Sequence, residues 1–357
     1  MTVSASQGGL LVVNEIKLMQ ATARRSLSAL VYLAMLMLTV ACSVEKGTDT
    51  LPLKTMADIP LPGAASRWDY ASIDEAKNLL FMAHLGDSAI TIFDLHKQKV
   101  MADIRGISSV HGVIVIPELG RIYATATGTN EVIVIDEKTL QIMAHIPTGD
   151  HPDGLAYAPD LQKLYVSDEL GGTDTVIDVR TNRRIATIQI GGKIGNTQYD
   201  PLSRHIMVNA QTRRQLVVID PVSDKLIKRI DLPGAAGNHG LYIDAPARLA
   251  FIACENNAKL LVLDLVSDRI VSIFNVGPDP DVLAFDATIG RLYVAGEVGV
   301  VSVFKLDHGA IVKLGQGRLA PDAHVVAVDR RTHWAYFPLK NLNGKSVLRI
   351  TVPIGWQ

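Results

Sequence analysis

The chain has two cysteines among 357 residues, Cys42 and Cys254, too few and too far apart for a disulfide framework or a paired-cysteine zinc knuckle. No Cys-x-x-Cys-His sequence is present to attach a haem. Charge of one sign is missing too: 35 basic and 36 acidic side chains leave a net charge of −1. That balance excludes a broad basic face of the kind that holds nucleic acid, and aromatics for base stacking are only 5% of the chain. No Gly-rich phosphate loop, Gly-x-Ser-x-Gly elbow or His-Glu-x-x-His helix occurs. After residue 50 no stretch keeps apolar residues at helical spacing for three turns. What the chain does have is apolar residues, 48% of it, enough to exclude intrinsic disorder.

The uncharged stretch 26–41 follows Arg24-Arg25 and is shorter than the ~20 residues a membrane-spanning helix needs. A basic start, a short apolar centre and small residues before a cut describe an export signal over residues 1–42. Its end, Leu38-Thr-Val-Ala-Cys42-Ser43, looks like a bacterial lipobox whose Cys42 receives the lipid. Ser43 after that cysteine, by resemblance to sorted lipoproteins, favours the outer membrane. Met19 makes a better initiator than Met1, because residues 1–18 precede the signal awkwardly. The expectation is an exported, periplasmic protein, lipid-anchored at its start, with residues 43–50 as linker.

Residues 51–357 read as short apolar runs bounded by Gly, Pro, Asp or Asn, among them Val113–Ile116, Glu131–Ile135 and Gln215–Ile219. Strand-ending aspartates recur at Asp94, Asp136, Asp178, Asp220 and Asp264. A second register, starting at Asp69, His111, Asp153, Gly195, His239, Asp281 and His324, strides by 42 to 44 residues. Seven units of about four strands at a 40–45-residue period predict an all-β fold, a single seven-bladed β-propeller. The last unit lacks a fourth strand, and Lys54-Thr-Met-Ala-Asp-Ile59 matches the fourth-strand text Lys99-Val-Met-Ala-Asp-Ile104. The N-terminal strand is therefore expected to complete the seventh blade and remove a free sheet edge.

The text Gly149-Asp-His-Pro-Asp-Gly-Leu-Ala-Tyr-Ala-Pro-Asp160, with Leu164-Tyr-Val-Ser-Asp168 and Thr175-Val-Ile-Asp178, resembles the YVTN-repeat β-propellers, in particular their YncE-like bacterial envelope group. The resemblance covers about residues 52–352 and implies the fold; it implies no reaction, because propellers host binders and enzymes alike.

In a propeller the start of strand one and the end of strand two emerge on one face. The first register therefore gathers Asp69, His111, Asp153, His239, Asp281 and His324 around the channel mouth. Strand-two ends add Glu169, Glu255 and Glu297. Two functions follow. The first is a binding or scaffolding module that takes a small molecule, glycan or envelope protein, with Asp69, Asp153, Glu169 and Asp281 as ligand contacts. The second is a metal-dependent envelope enzyme, a lactone or ester hydrolase. In it, His111, His239 and His324 hold one transition metal (Zn, Cu, Fe or Ni), and Glu255 or Glu297 acts as base on bound water. Nucleic acid is not an expected partner, the membrane is met only through the lipid, and the chain is expected to be a monomer. Cys254, at a strand end, reads as a small buried hydrophobe.

Overall fold

Each repeat carries four short β-formers punctuated by tight turns, and in the computed structural model, which describes residues 50–355, each becomes a four-stranded antiparallel sheet. The export signal, Met19, Cys42 and the linker through Asp49 lie outside the described residues. There are seven sheets, and in six the strands are consecutive in the chain. The seventh pairs β1 (Leu53–Pro60) with β28 (Lys345–Pro353), then β27 (Trp334–Leu342) and β26 (Ala327–Asp329). The N-terminal strand is thus the outer strand of the last blade, as its sequence match to Lys99–Arg105 predicted.

The recurring aspartates close strand three of each of the first five blades. Asp94, Asp136, Asp178, Asp220 and Asp264 end those strands, and each carboxylate accepts a turn amide, from Lys97, Thr139, Arg180, Val222 and Val266. This is the side-chain-to-backbone bond that makes Asp a turn residue.

Six of the 19 aromatics stand at one position of the blade. Phe81, Tyr123, Tyr165, Met207, Phe251, Tyr293 and Tyr336 occupy the third residue of strand two in successive blades, all at most 4% exposed. Side chains there face the neighbouring blade, and each large one contributes about 1.5–3 kcal/mol by leaving water. The core is accordingly a ring of blade-to-blade clusters. Cys254 is fully buried in one of them, and burial pushes its thiol up to about 12, so it packs as expected and is no nucleophile.

Candidate functional site at the channel mouth

The inner strand of a blade must do two things at its start: approach the next blade closely and aim one side chain into the channel. In blades two, three, five and six the ladder slips at that point, between Val110 and Val113, Pro152 and Leu155, Asn238 and Leu241, and Pro280 and Leu283. Such a bulge re-aims a side chain, and the residues it carries are His111, Asp153, His239 and Asp281. The residue after His239 is Gly240, where a Cβ would lie 2.0 Å from the carbonyl oxygen of Asp281 on the next blade. Only glycine allows that approach. The carbonyl of His239 in turn accepts the Asn196 amide (2.9 Å) and Asn209 Nδ2 (2.8 Å), so main chain is tied to main chain around the ring.

The resulting mouth is a cavity of about 550 Å³. Six carboxylates line it, Asp69, Asp153, Glu169, Glu255, Asp281 and Glu297, together with His111, His151 and His239. His324 is 1% exposed and sits behind the lining, 3.7 Å from Glu297 Oε2 through Nδ1.

At the centre is His239. Its Nε2 lies 3.5 Å from Asp153 Oδ2, 3.5 Å from Asp281 Oδ1 and 3.3 Å from the Tyr70 hydroxyl. Its Nδ1 faces Glu255 Oε1 at 3.4 Å and Glu169 Oε1 at 3.9 Å. Burial resists charge on this ring, but Asp153, Asp281 and Glu255 outweigh it and lift the imidazole to about 10. His239 is therefore the internal counter-ion of a carboxylate ring. The ring is still short of positive charge: burial pushes Asp69 up to about 6 and Asp281 up to about 7, while Asp153, bonded to His239, stays below the ordinary carboxylate value despite its burial.

Three buried atoms at this spot have no hydrogen-bond partner: His239 Nδ1, Asp281 Oδ1 and His324 Nε2. His324 Nδ1 lies 3.2 Å from the Asp322 carbonyl, which can only accept. The proton of a neutral ring thus belongs on Nδ1 and leaves a bare lone pair on Nε2. Orphaned buried polar atoms are costly unless something fills their valence.

Among the described residues, donor atoms within 4.8 Å of one another occur in two sets, His239–Glu255–Asp281 and Asp281–Glu297–His324. The three histidines expected to share one ion are therefore dealt out differently. His239 and His324 belong to separate sets joined by Asp281, and His111 belongs to neither. The reason is positional: His111 turns its Nδ1 to the Ser109 carbonyl (2.9 Å) and packs edge-on against His151, ring centres 5.2 Å apart. Glu255 and Glu297, expected as bases, each stand in one of the two sets. Asp69, Asp153, Glu169 and Asp281 do line the mouth, as the repeat register placed them.

Sequence reasoning missed the basic residues. Arg67 Nη2 pairs with Glu297 Oε1 at 2.7 Å and its Nε with Asp69 at 3.3 Å, while Lys193 Nζ pairs with Glu169 Oε1 at 2.8 Å. Tyr70 donates to Asn196 Oδ1 at 2.7 Å. The signal was available: Arg67, His151 and Lys193 each stand two residues before a member of the first register.

No family model matches the chain, and no curated protein matches it by sequence. Many solved structures share its shape. Hydrazine synthase of Kuenenia stuttgartiensis is 14% identical, with 87% of this chain and 99% of that chain covered at a TM-score of 0.68. Virginiamycin B lyase of Staphylococcus aureus is 12% identical, with 84% and 99% covered at a TM-score of 0.70. Identities this low establish the propeller and nothing about chemistry.

Proposed function

We propose that the protein is a metal-dependent ligand-binding propeller of the bacterial cell envelope, lipid-anchored through Cys42, whose channel mouth takes a divalent first-row ion and, through it, a small polar ligand. The observation that supports this reading is the convergence of three partnerless buried donors, on His239, Asp281 and His324, inside a ring of carboxylates. A divalent cation in either set takes Asp281 and one of the two imidazoles as donors and replaces the proton that burial retains on Asp281.

Donor sets of one imidazole and two carboxylates are harder than the three imidazoles expected from sequence. They favour Mn²⁺, Fe²⁺ or Zn²⁺ over Cu. Arg67 and Lys193, on the rim, would meet the anionic part of a ligand whose other end reaches the ion. The repeat text that resembles YVTN propellers and the lipobox-like leader support the envelope assignment.

Elemental analysis of the full chain purified without chelator tests the reading. At least about one first-row divalent ion per chain is expected, with clear loss in Asp281→Asn. Less than a tenth of an ion in wild type, with none gained on dialysis against Mn²⁺ or Zn²⁺, rejects it.

A further inference from the structure

One ion leaves half of the mouth's free donors unfilled, because the two donor sets are built alike. Blade five supplies His239 at the start of its first strand and Glu255 just after its second, and the next blade supplies Asp281. One blade on, Asp281 and Glu297 hold the same two places in blade six, and blade seven supplies His324. The pattern is a first-register residue, the residue after strand two, and the first-register residue of the following blade, all three able to ligate. No other blade completes it. Leu85, Thr127, Gln211 and Lys340 take the glutamate's place in blades one, two, four and seven, and blade three, which has Glu169, meets Gly195.

Each set owns one unpartnered imidazole nitrogen, Nδ1 of His239 and Nε2 of His324, in residues 6% and 1% exposed. His239 Nδ1 faces the glutamate of its own set, Glu255 Oε1, at 3.4 Å. Glu297 gives Oε1 to Arg67 at 2.7 Å and turns Oε2 to the His324 ring at 3.7 Å. An ion in one set takes one of these rings and leaves the other buried without a partner, which proteins rarely tolerate. Asp281 is common to both sets and has an oxygen for each.

Charge gives the same count. Six carboxylates line the mouth against Arg67 and Lys193. With the imidazoles neutral, as metal ligands must be, the difference of six and two leaves four negative charges. One divalent ion cancels half of that and two cancel all of it, and charge taken out of water persists when it is paired.

We propose that the mouth holds two first-row divalent ions bridged by Asp281, one with His239 and Glu255, the other with Glu297 and His324. The proposal rests on the metal-binding reading above and fixes its stoichiometry and donors. Two-metal sites keep their ions about 3.5–4 Å apart and clamp oxygens between them. The anionic end of the ligand therefore meets both ions, with Arg67 beside them.

Equilibrium dialysis of the chelator-stripped full chain against Mn²⁺, followed by metal and protein counts and EPR spectra, tests it. Two ions per chain are expected in wild type, with the spin-coupled spectrum of a bridged pair. Glu255→Gln and Glu297→Gln should each fall to one ion per chain, with the spectrum of an isolated ion. Those side chains are 25% and 32% exposed, so neither change opens the core, and the two variants test opposite halves of the site. Saturation at one ion in wild type overturns the second ion and leaves the metal-binding reading standing, whereas no bound Mn²⁺ overturns both. Two ions with uncoupled spectra, or two ions kept in both variants, overturn the bridge and the donor assignment.

Discussion

Arg349 holds Asp58 by two parallel bonds, Nε to Oδ1 and Nη2 to Oδ2, each 2.7 Å, across 291 positions of sequence. The pair joins the last strand to the first and engages both oxygens of the carboxylate. Arg349 Nη1 also donates to the Leu319 carbonyl at 2.9 Å, which ties the seam to the adjoining segment.

Loss of that pair should loosen closure modestly, because both partners retain some water: the side chains are 15% and 30% exposed. Asp58→Ala is expected to lower unfolding stability by about 1 kcal/mol in urea denaturation. Asp58→Glu should recover most of it. A loss below a few tenths, or no recovery, would place the fastening in the β1–β28 ladder alone.

Stability without metal should fall as pH rises. Asp69 and Asp281, raised by burial to about 6 and about 7, bind protons in the folded chain that the unfolded chain releases near pH 4. Their stabilising protons are lost as pH climbs through those values. His239, raised to about 10 by its carboxylate neighbours against its burial, continues the same trend between about 6.5 and 10. Asp153 acts oppositely, but only below pH 4. The melting temperature of chelator-treated protein should therefore drop from pH 5 to pH 9, and Asp281→Asn should flatten its lower part. A melting temperature that rises over this range contradicts the charge arrangement described.

Gly240→Ala should damage both fold and site. Its Cβ would meet the Asp281 carbonyl at 2.0 Å, and backbone on backbone cannot yield cheaply. A loss of about 2–4 kcal/mol is expected. Gly120→Ala, where no atom lies within 4 Å, is a control only for space, since φ there is +58° and costs about 1 kcal/mol by itself. Equal losses in the two variants would show that the close approach at Gly240 is not what the glycine serves.

Fold and site were unequally legible. The blade count, the borrowed strand and the turn aspartates could be read because each is a local rule repeated at fixed stride. Asp58, for example, is recognisable from Asp103 alone. The same stride put His239, Asp281 and Glu255 at one mouth. It could not say which way each ring turns: His111 is drawn to the Ser109 carbonyl and His324 to that of Asp322, bonds set by the loop before each strand. Nor does periodicity report what is absent. Arg291 Nε and Tyr293 OH have no partner because the turn that supplies one in blades two and three is missing at the seam, a consequence of closure that no single repeat displays.

Zinc titrated calorimetrically into chelator-stripped wild-type protein, Asp281→Asn and His239→Gln tests the mouth most directly. The account predicts saturable binding, weakened at least about tenfold in Asp281→Asn, which both donor sets share, and in His239→Gln. Identical isotherms for the three proteins, or no saturable heat in any, would contradict it.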